Sequence, residues 1–244
     1  MPPPKYLDQA NRLIAALAPD IRTVVLERCE LVELQRQEVL TQAGVHVKHL
    51  YFPIDSFVAI NFNLGDSQSL QVGVTGNEGV TNASAMLGAR VASSTTVVQG
   101  AGRAYRISCG DLQELLSANE SMTDVLHQYI ALSLNQLAQN MACASIHTVE
   151  QRLARWLLVA KDCIHSKELF LTHAALASML GVRRERVAPV ASLLQKNGLI
   201  NYKRGHVAIM DEPGLQALAC RCYLANMAAY KNDSLQADPV FFVI

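Results

Sequence analysis

The sequence lacks the long apolar runs of a membrane protein. No run approaches the roughly 20 residues that span a bilayer. The start, MPPPKYLDQANR, has no apolar stretch like that of a signal peptide. The six cysteines are dispersed, and only Cys220 and Cys222 lie close together. We therefore expect a cytoplasmic protein with no membrane partner, whose cysteines are reduced and mostly buried.

Enzyme motifs are missing as well. The sequence has no nucleophile elbow, phosphate loop or metal-ligand cluster, and Asp66, Glu78 and His127 form no recognisable catalytic constellation. A Cys-x-Cys pair is a weak metal signal, and on a helix Cys220 and Cys222 would point roughly 200° apart. We predict a protein that is not an enzyme and has no metal site or cofactor.

Charged residues are distributed unevenly along the sequence. The formal net charge is zero, but residues 145–210 carry 10 Lys and Arg against 4 Asp and Glu, a net charge of +6. Residues 1–144 carry 9 against 13, a net charge of −4, and residues 211–244 carry 2 against 4, a net charge of −2. A basic excess in one segment is typical of phosphate attraction, although a solvated face would produce it too.

The first half of the chain predicts a β domain. Residues 7–28 read as two short helices broken at Pro19. From Cys29, short β-branched or aromatic segments such as HLYFP, FVAINFNL and SLQVGV alternate with turn residues. Strands at a spacing of about 8–12 residues predict an antiparallel barrel or sandwich. We expect this β region to run to about Ile107.

A long helix is predicted next. From Asp111 the apolar period becomes helical, first in a short helix and then in one of about 25 residues. This helix is apolar on more than one side, so it is either buried in its own domain or paired with a second copy. Its apolar positions are Met122, Val125, Leu126, Tyr129, Ile130, Leu134, Leu137 and Met141. Residues 145–148 look like a hinge, and Thr148 with Gln151 matches a capping box for the following helix.

Residues 171–199, LTHAALASMLGVRRERVAPVASLLQKNGL, have the pattern of two helices joined by a tight turn. Thr172 can cap the first helix, Gly181 can end it in a left-handed conformation, and Gly198 can close the second. The second helix opens with Arg183, Arg184, Glu185 and Arg186. A basic, solvated start is typical of a helix-turn-helix that reads the DNA major groove, although a plain αα-hairpin shares the pattern.

A basic hairpin follows the helix pair. The segment LINYKRGHVAIMD holds two brief strands joined by Lys203, Arg204 and Gly205. With the preceding helices it makes a winged helix. DEPGLQALACRCYLANMAAY reads as one more helix, and residues 232–244 have no clear period.

Over about residues 10–220 the sequence resembles the Crp–Fnr family of transcription regulators. The resemblance is carried, in order, by VLTQAGVHVKHLYFP, VGVTGNEGV, the long helix, TVEQRLARWLL, the helix pair and the wing. It implies a homodimer joined along the long helix that binds double-stranded DNA at near-palindromic half-sites and contacts RNA polymerase.

The resemblance also implies which residues contact DNA. Those at the start of the second helix, Arg183 to Arg186, would reach base edges, with Arg184 suited to guanine and Glu185 to cytosine. Thr172, His173, Lys203 and Arg204 would contact backbone phosphate.

Pro189 departs from the family, where many relatives have a polar contact residue. Proline in a helix interior costs ~3 kcal/mol or more, so we predict a kink or a shortened first turn and an altered base readout.

The effector of this protein is not identified by its sequence. Cyclic-nucleotide binders of the family use a Gly-Glu pair and an Arg-Ser/Thr-Ala run. Here Gly76-Asn77-Glu78-Gly79 is followed by Arg90-Val91-Ala92-Ser93-Ser94, so Val91 replaces the hydroxyl residue. Glu78, Arg90, Ser93 and Ser94 form a candidate effector pocket. The alternative is that Glu78 makes a turn contact and Arg90 is solvated, and we expect that cyclic AMP is not the effector.

Other sensing chemistries have less support. The clustered cysteines of an oxygen-sensing iron–sulfur centre are missing before the β region. Haem ligation by His46 or His49 stays open. A redox switch would need an accessible thiolate at Cys109, Cys143 or Cys163.

The sequence therefore predicts an α+β chain with an N-terminal antiparallel β jelly-roll, a long dimerisation helix and a C-terminal winged helix-turn-helix. The expected domains are residues 1–110, 111–144 and 145–231, with a tail at 232–244. The predicted function is sequence-specific DNA binding as a homodimeric transcription regulator with an unknown effector. The alternative is a cyclic-nucleotide or other small-ligand signalling module without direct DNA binding.

Overall fold

The described part of the chain contains ten strands and eight α-helices, and a further helical stretch begins at Cys222. The computed structural model describes residues 10–63, 65, 69–164 and 166–225; the predicted tail at 232–244 and the end of the predicted last helix lie outside these ranges. The helices are α1 (Arg12–Ala15), α2 (Pro19–Glu27), α3 (Cys109–Ala118), α4 (Glu120–Ile146), α5 (Val149–Ile164), α6 (His173–Leu180), α7 (Val187–Lys196) and α8 (Glu212–Leu218). The strands are β1 (Glu30–Leu34), β2 (Val39–Thr41), β3 (His49–Pro53), β4 (Phe57–Asn63), β5 (Ser69–Thr75), β6 (Thr95–Gly100), β7 (Gly102–Ser108), β8 (Glu168–Phe170), β9 (Ile200–Lys203) and β10 (His206–Ile209).

The predicted β domain is confirmed. Its strands form two antiparallel sheets, in the orders β1-β7-β3 and β2-β6-β4-β5. The two predicted short helices precede it, and Pro19 is the first residue of α2, where its missing N–H is not needed. The β region ends at Ser108, one residue beyond the expected Ile107. A core of aliphatic and aromatic side chains joins the β3 and β7 sheet to α1, α3 and α4.

The long helix α4 is anchored to the β domain along one side. It has 27 residues, close to the expected length, and its buried side includes Met122, Leu126 and Tyr129. The Tyr129 hydroxyl accepts a hydrogen bond from the Val80 N–H at 3.1 Å. Farther along, the Asn140 amide donates to the Val72 carbonyl of β5 at 3.0 Å. These contacts fix α4 against the β domain and leave its other side exposed.

The hinge between α4 and α5 has the predicted capping box. The Thr148 N–H donates to Gln151 Oε1 at 3.1 Å, and the Gln151 N–H donates to Thr148 Oγ1 at 3.4 Å. Because both hydrogen bonds satisfy N–H groups at a helix start, they set where α5 begins.

The first helix of the helix-turn-helix begins and ends as predicted, whereas the second was expected to open at Arg183 and does not. Thr172 Oγ1 accepts from the Ala175 N–H at 3.2 Å, and Gly181 ends α6 with φ +60°. A single 3₁₀ turn spans Arg184–Arg186, and the α-helix starts only at Val187. The predicted shortened first turn at Pro189 is thereby confirmed, since Pro189 is the third residue of α7.

The wing is a three-stranded sheet in the order β8-β10-β9. The predicted hairpin is present, with positive φ at Arg204 (51°) and Gly205 (85°). Strand β8 was not predicted, because three residues of alternating burial give almost no periodic signal. The wing lies next to the β domain, where the Arg36 guanidinium stacks over the Phe170 ring at 3.6 Å.

The prediction of one continuous helix after the wing is wrong. α8 covers only Glu212–Leu218, and Ala219 has extended backbone. Cys220 therefore lies outside a helix. Among the described residues, none of the helices is both long and apolar enough to cross a membrane.

The position of Pro189 near the start of α7 leads to a prediction about the free energy of unfolding. The first four N–H groups of a helix have no partner within it, so Pro189→Ala should change the free energy of unfolding by less than ~1 kcal/mol. Proline at the exposed sixth residue, Ser192→Pro, should cost ~3 kcal/mol or more in the same helix. Urea unfolding followed by circular dichroism measures both. A loss as large in Pro189→Ala as in Ser192→Pro would contradict this reading.

Candidate nucleic-acid interface

The start of the second helix presents its charged residues to solvent. Arg183, Arg184, Glu185 and Arg186 are all exposed. On the opposite side α7 is anchored in the core by Val187, Val190, Ala191 and Leu194, which are all buried. Anchoring on one side and exposure on the other is the geometry that lets a recognition helix enter a groove without unfolding its domain.

The start of α6 lies beside the wing. The ring of His173 stacks on Tyr202 of β9, with centroids 5.1 Å apart and planes 14° apart. The Tyr202 hydroxyl donates to the Leu171 carbonyl at 3.2 Å. Burial raises the pKa of Tyr202, and the nearby charge of Arg184 opposes that shift. The start of α6, the wing and the recognition segment (residues 183–186) therefore meet around Tyr202.

The wing tip carries two exposed cations, Lys203 and Arg204. The turn is tight, since a Cβ added at Gly205 would lie 3.2 Å from Phe170 Cζ. Glycine is needed here both for its φ and for this close approach. The sequence placed Lys203 in the turn, whereas the structure makes it the last residue of β9.

Five exposed cations lie at the recognition segment and the wing tip. Five other cations form ion pairs with described carboxylates, whereas Arg36, Lys48 and Arg90 are single exposed cations without one. The paired cations are Arg28, Arg103, Arg106, Lys161 and Lys167. None of the five cations at the recognition segment and the wing tip has such an ion pair within the described ranges. Their charge is left for an external anion. We call this surface, made by Arg183, Arg184, Arg186, Lys203 and Arg204, the cationic face.

The four candidate effector residues do not come together around the cavity that Glu78 lines. A cavity of about 430 Å³ between the β domain, α4 and α5 is lined by Glu78, but not by Arg90, Ser93 or Ser94. Arg90 and Ser93 are exposed. Glu78 Oε1 accepts from the Gly76 N–H at 2.8 Å, which is the turn contact named as the alternative.

A second cluster was missed by the sequence analysis. Cys143, His147, Cys220 and Cys222 bring their side-chain ligand atoms within 4.8 Å of one another. The argument against a metal at Cys220 and Cys222 assumed that both lie on one helix, and α8 ends before them. We call these four residues the junction cluster.

Comparison with known proteins supports the same reading of the fold. Residues 151–218 match the Crp-like helix-turn-helix domain model. Among curated proteins, none matches the sequence.

Solved structures match far more of the chain than the helix-turn-helix domain alone. The cyclic-di-GMP-responsive global regulator CLP of Xanthomonas campestris is 17% identical, covers 80% of this chain and 100% of its own, and has a TM-score of 0.65. A CRP-family transcriptional regulator of Thermus thermophilus is 17% identical, covers 77% and 96%, and has a TM-score of 0.66. FixK2 of Bradyrhizobium japonicum is 13% identical, covers 79% and 98%, and has a TM-score of 0.64. Residues 151–218 are thus a Crp-like helix-turn-helix domain, set within a chain that has the overall fold of the Crp/Fnr transcription regulators.

Proposed function

We propose that this protein is a sequence-specific DNA-binding transcription regulator that works in the cytoplasm without catalysing a reaction. The observation that carries the proposal is the cationic face, whose exposed cations have no ion pair with a described carboxylate. Phosphate is the anion that such a set of separated cations suits best. RNA polymerase is the partner that the family resemblance implies.

The contacts divide into two kinds. Arg184 and Glu185, on the exposed 3₁₀ turn, would reach base edges in the major groove, since a guanidinium fork suits guanine and a carboxylate suits the cytosine amino group. Lys203 and Arg204 on the wing, with Thr172 and His173 at the start of α6, would hold the backbone on either side. Because Pro189 displaces the start of the α-helix, the base preference should differ from that of relatives with a regular first turn.

The exposed side of α4 supports a homodimer. Residues 125–146 contain no Lys, Arg, Asp or Glu. Six exposed positions follow one another at alternating steps of three and four, the spacing of a coiled-coil seam. They are His127, Ala131, Leu134, Ala138, Met141 and Ser145. Leu134 and Met141 leave 62% and 70% of their surface exposed, which a second copy of the helix would cover. Two-fold symmetry would then place two half-sites of a near-palindrome about 34 Å apart.

The effector is left unassigned. A cyclic phosphate needs a cation and several donors, and Arg90 lies away from the cavity that Glu78 lines. Three cations line the cavity: Lys161 is paired with Asp162 at 3.1 Å and with Glu212 at 2.5 Å, Lys167 is paired with Glu212 at 3.4 Å, and the charge of Arg12 acts on Glu78. This arrangement supports the expectation that cyclic AMP is not the effector. A ligand-binding module without DNA binding is less well supported, because it leaves the cationic face without a role.

The first test is a mobility-shift titration on a site selected from random DNA. Arg184→Ala should lose ~1–3 kcal/mol of binding free energy on that site and relax the base preference there. Lys203→Ala should weaken binding to every DNA sequence. It should also reduce the slope of log affinity against log salt concentration by about one. Lys48→Ala, an exposed cation of the β domain, serves as the control. If Arg184→Ala and Lys203→Ala bind like the parent, these contacts are misassigned.

The proposed dimer leads to a second prediction, which concerns the effect of a charge in the α4 interface. Leu134→Glu would bury an unpaired carboxylate in each half of the interface, so it should weaken the dimer by at least ~3 kcal/mol. Gln128→Glu adds the same charge at an exposed position roughly 100° away from the seam and should leave the dimer intact. Sedimentation of the three proteins gives the comparison. A parent protein that sediments as a monomer would rule out this interface.

Glu78 makes a pH-dependent prediction. Burial raises its pKa, against the effects of its backbone hydrogen bonds and of Arg12. The folded chain therefore binds the Glu78 proton more tightly than the unfolded chain does. The resulting stabilisation of the folded state is present at low pH and is lost as pH rises through the folded pKa. Glu78→Gln keeps the acceptor for Gly76, so its stability relative to the parent should rise from about pH 4 to about pH 7.

Urea unfolding at both pH values tests this expectation. The exposed Glu33→Gln in β1 is the control, whose difference from the parent should stay constant. A Glu78→Gln difference that does not change with pH would show that burial of this carboxyl carries no charge penalty.

A further inference from the structure

The junction cluster brings together four metal-ligand side chains from two distant parts of the chain. Cys143 lies in the last turn of α4, and His147 is the residue that ends that helix. Cys220 and Cys222 follow α8. The Sγ atoms of Cys143 and Cys220 are 3.5 Å apart, although 77 residues separate them in the sequence. Cys222 Sγ lies 3.7 Å from His147 Nδ1.

These distances match the edges of a tetrahedron around a single ion. With Zn–S and Zn–N bonds of about 2.3 Å and 2.0 Å, two sulfurs lie about 3.8 Å apart and a sulfur and a nitrogen about 3.5 Å apart. All four ligand atoms fall within 4.8 Å of one another, so small shifts would close the site. An iron–sulfur cluster would hold its thiolates farther apart, because they bind different iron atoms. A Cys143–Cys220 disulfide would leave the approach of His147 and Cys222 without a role.

Buried Arg155 provides the charge that such a site needs. Three thiolates and one divalent cation have a net charge of −1, which is costly to bury without a counter-ion. Arg155 is only 2% exposed, and its guanidinium donates a hydrogen bond to Asn140 Oδ1. Arg155 is close enough to Cys143 for its positive charge to act on that thiol. A buried guanidinium beside the cluster can offset this negative charge.

We propose that Cys143, His147, Cys220 and Cys222 bind one zinc ion in a tetrahedral Cys₃His site. With four protein ligands the site has no open position, so its role is structural. It joins the end of α4 to the segment after α8, and the whole winged helix lies between these ligands in sequence. The ion thus fixes the DNA-binding domain to the end of the long helix. The site itself is independent of the proposed function, and only its effect on DNA affinity rests on it.

Metal analysis of the full-length chain, purified under reducing conditions, tests the site without any DNA. We expect about one zinc per chain, and a visible spectrum of tetrahedral Co²⁺–thiolate coordination after Co²⁺ replaces zinc. Cys143→Ser and Cys222→Ser should lower metal affinity by roughly tenfold or more. Cys29→Ser and Cys109→Ser, at thiols outside the junction cluster, should keep the metal and the spectrum.

A second measurement guards against variants that fail to fold. Metal-stripped parent protein should unfold at a lower temperature, and Zn²⁺ should restore the midpoint. The proposal is overturned if the parent retains no zinc and shows no Co²⁺–thiolate spectrum, if it contains iron with inorganic sulfide, or if reduced preparations hold a Cys143–Cys220 disulfide.

The DNA consequence is measured separately, by mobility shift of parent protein with and without zinc. Reduced affinity after metal removal supports the fixing role. Zinc binding with unchanged DNA affinity would overturn that role while leaving the site intact. Parent protein that binds zinc but no DNA in either form would instead count against the proposed function.

Discussion

The arrangement of this chain depends on the two sides of α4. One side is held to the β domain by Met122, Leu126 and the Tyr129 hydroxyl, and by the Asn140 amide on β5. The other side has no charged residue over 22 positions, 125–146, and exposes Leu134 and Met141. A helix that is apolar on two sides needs two partners. The proposed second copy is the partner that the β domain cannot provide, and it would orient two winged helices about one axis.

Charge is divided between support of the fold and recognition. Lys161 and Lys167 hold Glu212 at the start of α8, so the basic excess of residues 145–210 is partly used inside the domain. The cationic face keeps its charge because no described carboxylate lies within ion-pair distance. A count of +6 from the sequence therefore overstates the charge that is available for the proposed DNA contact.

Periodicity was enough to predict the long elements, because burial repeats along them. The β region, α4, the helix pair and the wing hairpin all follow from it, and Thr148 with Gln151 marks a helix start by local hydrogen bonding alone. Periodicity could not predict short or interrupted elements. Strand β8 has only three residues, and no glycine or proline marks the end of the helix after Leu218. The junction cluster depends on that break. No spacing rule joins Cys143 to Cys220 across 77 residues, because their proximity comes from packing of the whole winged helix.

The wing tip also bears on how this surface tolerates mutation. Arg204 occupies a left-handed backbone conformation, with φ 51°, at a turn position where asparagine or glycine is preferred. A side chain with a Cβ carries a strain of about 1 kcal/mol there. A substitution that relieves this strain, such as Arg204→Gly, also removes one charge of the cationic face, so backbone relaxation and surface charge are coupled at this position.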